Sequence, residues 1–531
     1  MSRSRWTSRW VGRGDSDGGG RQPGSRRART GAAATAAMLM AAGATAVVLP
    51  GAVATAAPAT PVPLVKLVAL DKVVKVPKFG RFTFVDPGVF VETFGSPLRF
   101  DVGRASYSKP ITITQIIRTP SGLVRRPLPH WAAQGWQGLR RFLRLTITNT
   151  AGKVVGSRVT PFCPDSFNPQ RTSPNSPQNS PYPANGCFTN PFEVGMVWGL
   201  QQGWGVDPVG GGFGPFGGDV FRLRLGTYHV RENITLMWRR ILHISLARGS
   251  ATVTIHVVKG SQCKFVCPAL RHRPARPALP ELPSSVPTLA SPPLSTRPDL
   301  VPLPSYGISV QNHRARTTHP ASSFMSFGAT VWIGGNSPLD VEGFRSPGAP
   351  TMQAWQFFFS RGKVVGKTPA GTMGFDTRKG HNHWHFQQFA QYRLLNAHKK
   401  LVVRSRKVGF CIAPTDAINM LLPHATWQPN FIGFTGACGS PTALWVRETL
   451  PLGWGDTYFQ FLAGQSFNIS HLPNGTYYIE VIANPLHRLF ETNYGNDISL
   501  RKVILGGTTA HRTVRVPPFH GIDPEHGGGR F

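Results

Sequence analysis

The stretch Gly380-His381-Asn382-His383-Trp384-His385-Phe386 gathers three histidines at alternate positions in a chain that has only 17. On an extended backbone, side chains two apart share a face, so His381, His383 and His385 form a row with successive Cα atoms about 6.5–7 Å apart. Imidazoles at that spacing can close on one metal ion, and neutral imidazole suits copper or zinc. The plainer alternative is a histidine run that is exposed or stacked on Trp384. Trp384, on the opposite face, is placed to enter the core and pin the strand, as a rigid site needs.

Such a row needs a scaffold, and 531 residues are enough for two or three domains with substantial cores. The 58 glycines and 48 prolines, about one residue in five, argue against helical bundles. Segments 142–148, 251–258, 327–333 and 355–365 read as strands, the last folding as a hairpin about Ser360-Arg361-Gly362-Lys363. After the turn signal Pro473-Asn474-Gly475, Tyr477, Ile479, Val481 and Ala483 share one face. The expected class is all-β with few helices: two β-sandwich-like domains joined by a Pro-rich linker. The expected boundaries are a leader over 1–56, an N-terminal β domain of unknown role over 64–260, the linker over 261–298, a catalytic domain over 299–505 and a flexible tail over 506–531. Between Pro268 and Pro304 there are eleven prolines in 37 residues, a composition that favours extended chain. In the N-terminal domain Gly-rich loops such as 210–214 interrupt the strands, and Trp131, Trp136, Trp198 and Trp204 could grip carbohydrate or fill a core.

Residues 1–30 hold eight arginines against Asp15 and Asp17, and an Ala-rich apolar run and Ala54-Thr55-Ala56 follow. That is the pattern of a secretory leader cut after Ala56, with an uncleaved anchor as the alternative; Arg26-Arg27 hints at twin-arginine export. The expected location is secreted or cell envelope. In that compartment Cys163, Cys187, Cys263, Cys267, Cys411 and Cys438 suggest three local disulfides, 163–187, 263–267 and 411–438, although Cys263 and Cys267 could also be half of a zinc site. The net charge of +34 comes with only 15% charged residues, so it reflects missing acid. A basic exported surface fits acidic cell-envelope polymers. Nucleic acid is not supported, because no RNA- or DNA-binding motif accompanies the charge, and no GxGxxG or P-loop supports nucleotide chemistry.

The histidine row is followed by Phe389-Ala390-Gln391-Tyr392-Arg393-Leu394-Leu395, Lys407-Val408-Gly409-Phe410-Cys411, Gly455-Asp456-Thr457-Tyr458, Asn484-Pro485 and Glu491-Thr492-Asn493-Tyr494-Gly495-Asn496-Asp497. In this order and spacing, residues 299–505 resemble the lysyl oxidase catalytic domain. The resemblance implies that His381, His383 and His385 ligate Cu(2+), and that Lys407 and Tyr458 cross-link into lysine tyrosylquinone. It further implies oxidation of a primary amine, or of lysine in a protein substrate, by oxygen to aldehyde, ammonia and hydrogen peroxide. It also implies a Ca(2+) site from Asp299, the Leu300 carbonyl, Glu491, Asn493, Asn496 and Asp497. Gln391 stands where the animal enzymes have a histidine proposed as base, which leaves Asp456 as a candidate catalytic base. The histidine row also lies one residue closer to Phe389, Asn493 replaces an Asp, and several animal cysteines are missing. The competing reading is a non-catalytic cell-envelope binding protein that merely holds metal.

Overall fold

The computed structural model describes residues 64–525 except 167–168, 210–218, 261–281, 316, 318–319, 379–381, 429–437 and 510. The leader, the Gly-rich 210–214 loop, Cys263, Cys267 and His381 lie outside the described residues. The fold is all-β: among the described residues the helical elements are the Leu236–Ile241 helix and three single 3-10 turns.

The N-terminal half forms a seven-stranded sheet and two four-stranded ones. Its strands Leu139–Asn149, Gly226–Ile234 and Ser250–Lys259 alternate buried aliphatics with polar residues, and Ser250–Lys259 also pairs in parallel with Val73–Phe79. Of the tryptophans, Trp198 and Trp136 fill the core, while Trp131 is exposed.

Three sheets carry the C-terminal half. In the first, Lys363–Asp376 pairs with Thr351–Ser360 on one side and with His383–Gln387 on the other, and Gly409–Phe410 lies beyond. Its hairpin turns at Arg361 and Gly362, both with positive φ (49° and 76°), the backbone that a two-residue connection between right-twisted strands requires. In the second, Ser322–Gly335 pairs with Trp454–Tyr458, whose far edge meets Asp416–Ala417. The third orders Leu401–Arg404, Ala390–Asn396, Gly475–Ala483, Ile498–Thr508 and His511–Arg515.

One expectation for the chain's connections needs correction. The segment 506–531, read as a flexible tail, is a paired strand through Arg515, and Glu525 accepts the Ile308 N–H at 2.8 Å. Its Gly/His/Arg composition hid the alternation of His511–Arg515. The described end of the Pro-rich segment is also docked: Leu289 N–H donates to the Lys367 carbonyl and Lys367 N–H to the Pro287 carbonyl, both at 2.9 Å. The Lys367 ammonium adds a bond to the Pro283 carbonyl at 2.8 Å. Proline carbonyls remain acceptors, so chain that cannot donate at every residue can still be bound along its length.

The described residues 64–525 belong to one compact unit with a core that runs through both halves. The strand Gly195–Leu200 meets the segment after Ala417, with the Met420 N–H donating to the Gly195 carbonyl at 2.7 Å and Val194 N–H to the Ile418 carbonyl at 2.9 Å. Any Cβ at Gly195 would collide with the Asn419 side chain, so the close approach depends on glycine.

Candidate active site and metal centre

Period-two alternation builds the first part of the site. On His383–Gln387, His383 and His385 are buried on one face with ring centroids 4.7 Å apart. Trp384, 1% exposed, enters the core, donates its indole N–H to the Ser440 carbonyl at 2.9 Å and lies under the Arg345 guanidinium. His385 Nδ1 is 3.4 Å from Asp376 Oδ2 on the neighbouring strand. A carboxylate behind an imidazole fixes its tautomer and leaves the other nitrogen for a metal. Among the described residues no three His, Cys, Asp or Glu converge on one point. The two imidazoles backed by Asp376 nevertheless fit copper by donor chemistry.

Pairing of Phe386 with Phe410 brings the next segment beside this strand. Lys407 is 4% exposed; its N–H donates to Ser405 Oγ at 3.1 Å, and the Ser405 hydroxyl donates to the Gly464 carbonyl at 3.2 Å. Gly464 has φ of +85°, and a Cβ there would stand 3.0 Å from that of Lys407. So held, Lys407 Nζ lies 4.2 Å from the centroid of the Tyr458 ring and 5.0 Å from that of Phe410. The amine has no hydrogen-bond partner among the described residues. Burial lowers its pKa to about 8, against the pull of the Asp456 carboxylate.

Tyr458 completes the pair. Its hydroxyl accepts the Cys411 N–H at 2.7 Å and donates to the Cys411 carbonyl at 3.1 Å. Burial, with Asp456 and Glu448 near, pushes the phenol well above its ordinary range and keeps it protonated. Asp456 is 2% exposed; burial raises its carboxyl strongly, with Lys407 opposing the shift and Asp416 adding to it. Lysine amine, tyrosine ring and carboxyl therefore lie buried together, an arrangement that fits a cross-link between Lys407 and Tyr458.

The disulfides Cys163–Cys187 and Cys411–Cys438 form. The second ties the two parts of the site together, because Cys438 also accepts the Trp384 N–H at 2.8 Å. Gln391 Oε1 accepts from Arg393 Nε at 2.8 Å, while Tyr392 beside it packs on Phe410. Sequence reasoning passed over Glu448, which is fully buried and accepts the Ile412 N–H at 3.0 Å. Its signal was an acid in phase with Val446 and Leu450 on an alternating strand.

The acidic loop near the domain end does approach the domain start. Leu300 N–H donates to Glu491 Oε2 at 3.0 Å, and Asn496 Nδ2 to Asp299 Oδ2 at 3.0 Å. Asn493 instead caps its own turn, accepting from Gly495 N–H at 3.0 Å. Asp299 Oδ1, Asn496 Oδ1 and both Asp497 carboxylate oxygens are buried without hydrogen-bond partners among the described residues. Orphaned carboxylate and amide oxygens fit the hard-donor demand of calcium. Burial raises Glu491 to about 8, with Asp497 and Asp299 adding repulsion, and raises Asp497 to about 6, with Asp299 adding repulsion and His487 and Glu491 opposing the shift.

Residues 367–513 match the family model described as Lysyl oxidase. Over 119 residues the chain is 25% identical to Lysyl oxidase homolog 2 of Gallus gallus, covering 22% of this chain and 13% of that relative's length. The matched segment includes His383, His385, Lys407, Asp456, Tyr458 and the Glu491–Asp497 loop, whereas Asp299 and Leu300 precede it. The chain therefore carries, over residues 367–513, a domain of the lysyl oxidase family.

Proposed function

We propose that the protein is an exported copper amine oxidase that uses a quinone made from Lys407 and Tyr458. The observation that carries the reading is the buried Lys407 amine, unbonded and 4.2 Å from the centre of the Tyr458 ring. Copper on His381, His383 and His385, together with the quinone, would supply the oxidation by which primary amine, oxygen and water become aldehyde, ammonia and hydrogen peroxide.

The chain's own residues have separate tasks. Asp376 orients His385, and Cys411 holds the Tyr458 oxygen from two sides. Asp456, a carboxyl whose proton affinity is raised by burial, takes the proton from the amine's α-carbon, the role Gln391 cannot fill. Substrates are primary amines, including lysine side chains of proteins. The oxygen donors at Asp299, Leu300, Glu491, Asn496 and Asp497 hold calcium, with Asn493 supporting the turn. The basic surface keeps the protein among acidic envelope polymers; among the described residues, no helix is long and apolar enough to cross a membrane.

The test is amine-dependent peroxide release by the copper-loaded full chain. The proposal expects release that disappears in Lys407→Arg and in Tyr458→Phe. Release that survives both substitutions, or copper-loaded protein that is inert toward alkyl amines and lysine peptides alike, contradicts it.

A further inference from the structure

The strand Trp454–Tyr458 alternates, and its two faces meet different partners. Asp456 and Tyr458 look toward Lys407 and Phe410. Thr457, between them, looks the other way. Its hydroxyl donates to Asp416 Oδ2 and lies 2.6 Å from Thr330 Oγ1. Behind these groups stands a residue of the N-terminal half: Asn190 Nδ2 is 3.0 Å from Asp416 Oδ2, 3.2 Å from Thr330 Oγ1 and 3.3 Å from the Tyr306 hydroxyl. An amide NH₂ has two hydrogens, so these three contacts share them, and Asn190 is the hub of the cluster.

Asn190 is itself tightly held. It is fully buried; its Oδ1 accepts the Phe192 N–H at 3.0 Å and its own N–H donates to Glu193 Oε1 at 2.7 Å. The neighbouring Thr189 hydroxyl donates to the Ala417 carbonyl at 2.6 Å. The turn 189–193 therefore grips both Asp416–Ala417 and, through Asp416, the back of the strand whose front bears Asp456 and Tyr458.

We propose that Asn190 is a positioning residue for the oxidase centre, so that the N-terminal half is part of that centre. The inference rests on the reading of Lys407 and Tyr458 as the cofactor pair. Asp416 is a buried acceptor whose side-chain partners among the described residues are the Thr457 hydroxyl and the Asn190 amide, both at Oδ2. Removing the amide leaves an acceptor underbonded, and the Thr457 strand must shift or rotate to compensate. A shift there displaces Tyr458 relative to Lys407, and a misplacement of ~1 Å from reactive geometry can cost ~100-fold in rate.

The experiment compares wild type, Asn190→Ala and Leu145→Ala in full-length, copper-loaded protein, Leu145 being a buried residue of the N-terminal sheet away from the cluster. Melting temperature, copper content, the rate of appearance of a Lys407–Tyr458 cross-linked peptide, and kcat and KM for n-butylamine are measured. The expected result for Asn190→Ala is unchanged copper content and KM, with cross-linking and kcat at least ten-fold lower. Leu145→Ala should lose thermal stability but cross-link at the wild-type rate. If Asn190→Ala does not fold, Thr457→Val and Thr457→Ser decide, the first expected to be slow and the second, which keeps the hydroxyl, restored. Cross-linking in Asn190→Ala, or in Thr457→Val, as fast as in Leu145→Ala overturns the positioning role. A wild-type protein that never cross-links overturns the oxidase reading itself, and this inference with it.

Discussion

Tyr458 is bonded to both backbone polar groups of Cys411: the phenol oxygen accepts that residue's N–H at 2.7 Å and donates to its carbonyl at 3.1 Å. Because Cys411 is joined to Cys438, whose carbonyl accepts the Trp384 N–H, a single disulfide spans from the tyrosine to the histidine strand.

Cys438→Ser should therefore impair both stability and chemistry. The bridged residues are 27 apart in sequence, for which chain-entropy reasoning gives about 3–4 kcal/mol. Calorimetry should show the lowered melting temperature, and peptide mapping a slower Lys407–Tyr458 cross-link. A variant that melts earlier but cross-links normally would confine the bridge to stability.

The pH dependence of cross-linking should report Lys407. Addition to an oxidised ring needs the neutral amine, so the rate should rise through about pH 8, where an ordinary lysine would require about 10.4. Asp456 favours the ammonium form, so Asp456→Asn should move the midpoint lower while reducing kcat by roughly 10²–10⁴-fold through loss of the base. The same lowered pKa means that from about pH 8 to 10.4 the unfolded chain holds a proton the folded one does not, so this group's contribution to stability rises with pH there. A midpoint near 10 would contradict the buried placement of the amine.

Copper binding should depend on Asp376 through His385. Asp376→Asn is expected to weaken copper affinity about 10–100-fold, and His383→Ala or His385→Ala to lower copper content further. Competition titration with a chromophoric chelator measures both effects, and unchanged affinity in Asp376→Asn would remove its orienting role.

Calcium should raise the melting temperature, more at pH 7.5 than at pH 5. Without the ion, Glu491 and Asp497 hold protons in the folded state that they release when unfolded, so their contribution falls as pH rises from about 4 to about 8. Calcium replaces those protons; at a hundred times its Kd it would add about 2.7 kcal/mol. Asp497→Asn should abolish the calcium-dependent shift, and a shift that survives in this variant would place the ion elsewhere.

Local pattern carried much of this fold. The alternation around Trp384 set His383 and His385 on one face, and Arg361-Gly362 marked its hairpin, because both depend on neighbours within a few residues. Lys407 and Tyr458, 51 positions apart, were legible only through resemblance to a family. Asn190 and Asp416 were not legible as partners: they are 226 residues apart, and a buried amide bonded to a distant carboxylate leaves no periodicity in either segment. The docking of 282–297 and the strand His511–Arg515 were obscured for a related reason, since proline and glycine content describes the unpartnered chain and not the surface that binds it.

The central claim is tested most directly by mass spectrometry of protease-digested, copper-loaded, air-exposed protein. The account predicts one covalently joined pair of peptides containing Lys407 and Tyr458, absent from Lys407→Arg and Tyr458→Phe, and accompanied by a quinone absorption band that phenylhydrazine shifts. Intact, separate Lys407 and Tyr458 peptides from fully copper-loaded protein would contradict it.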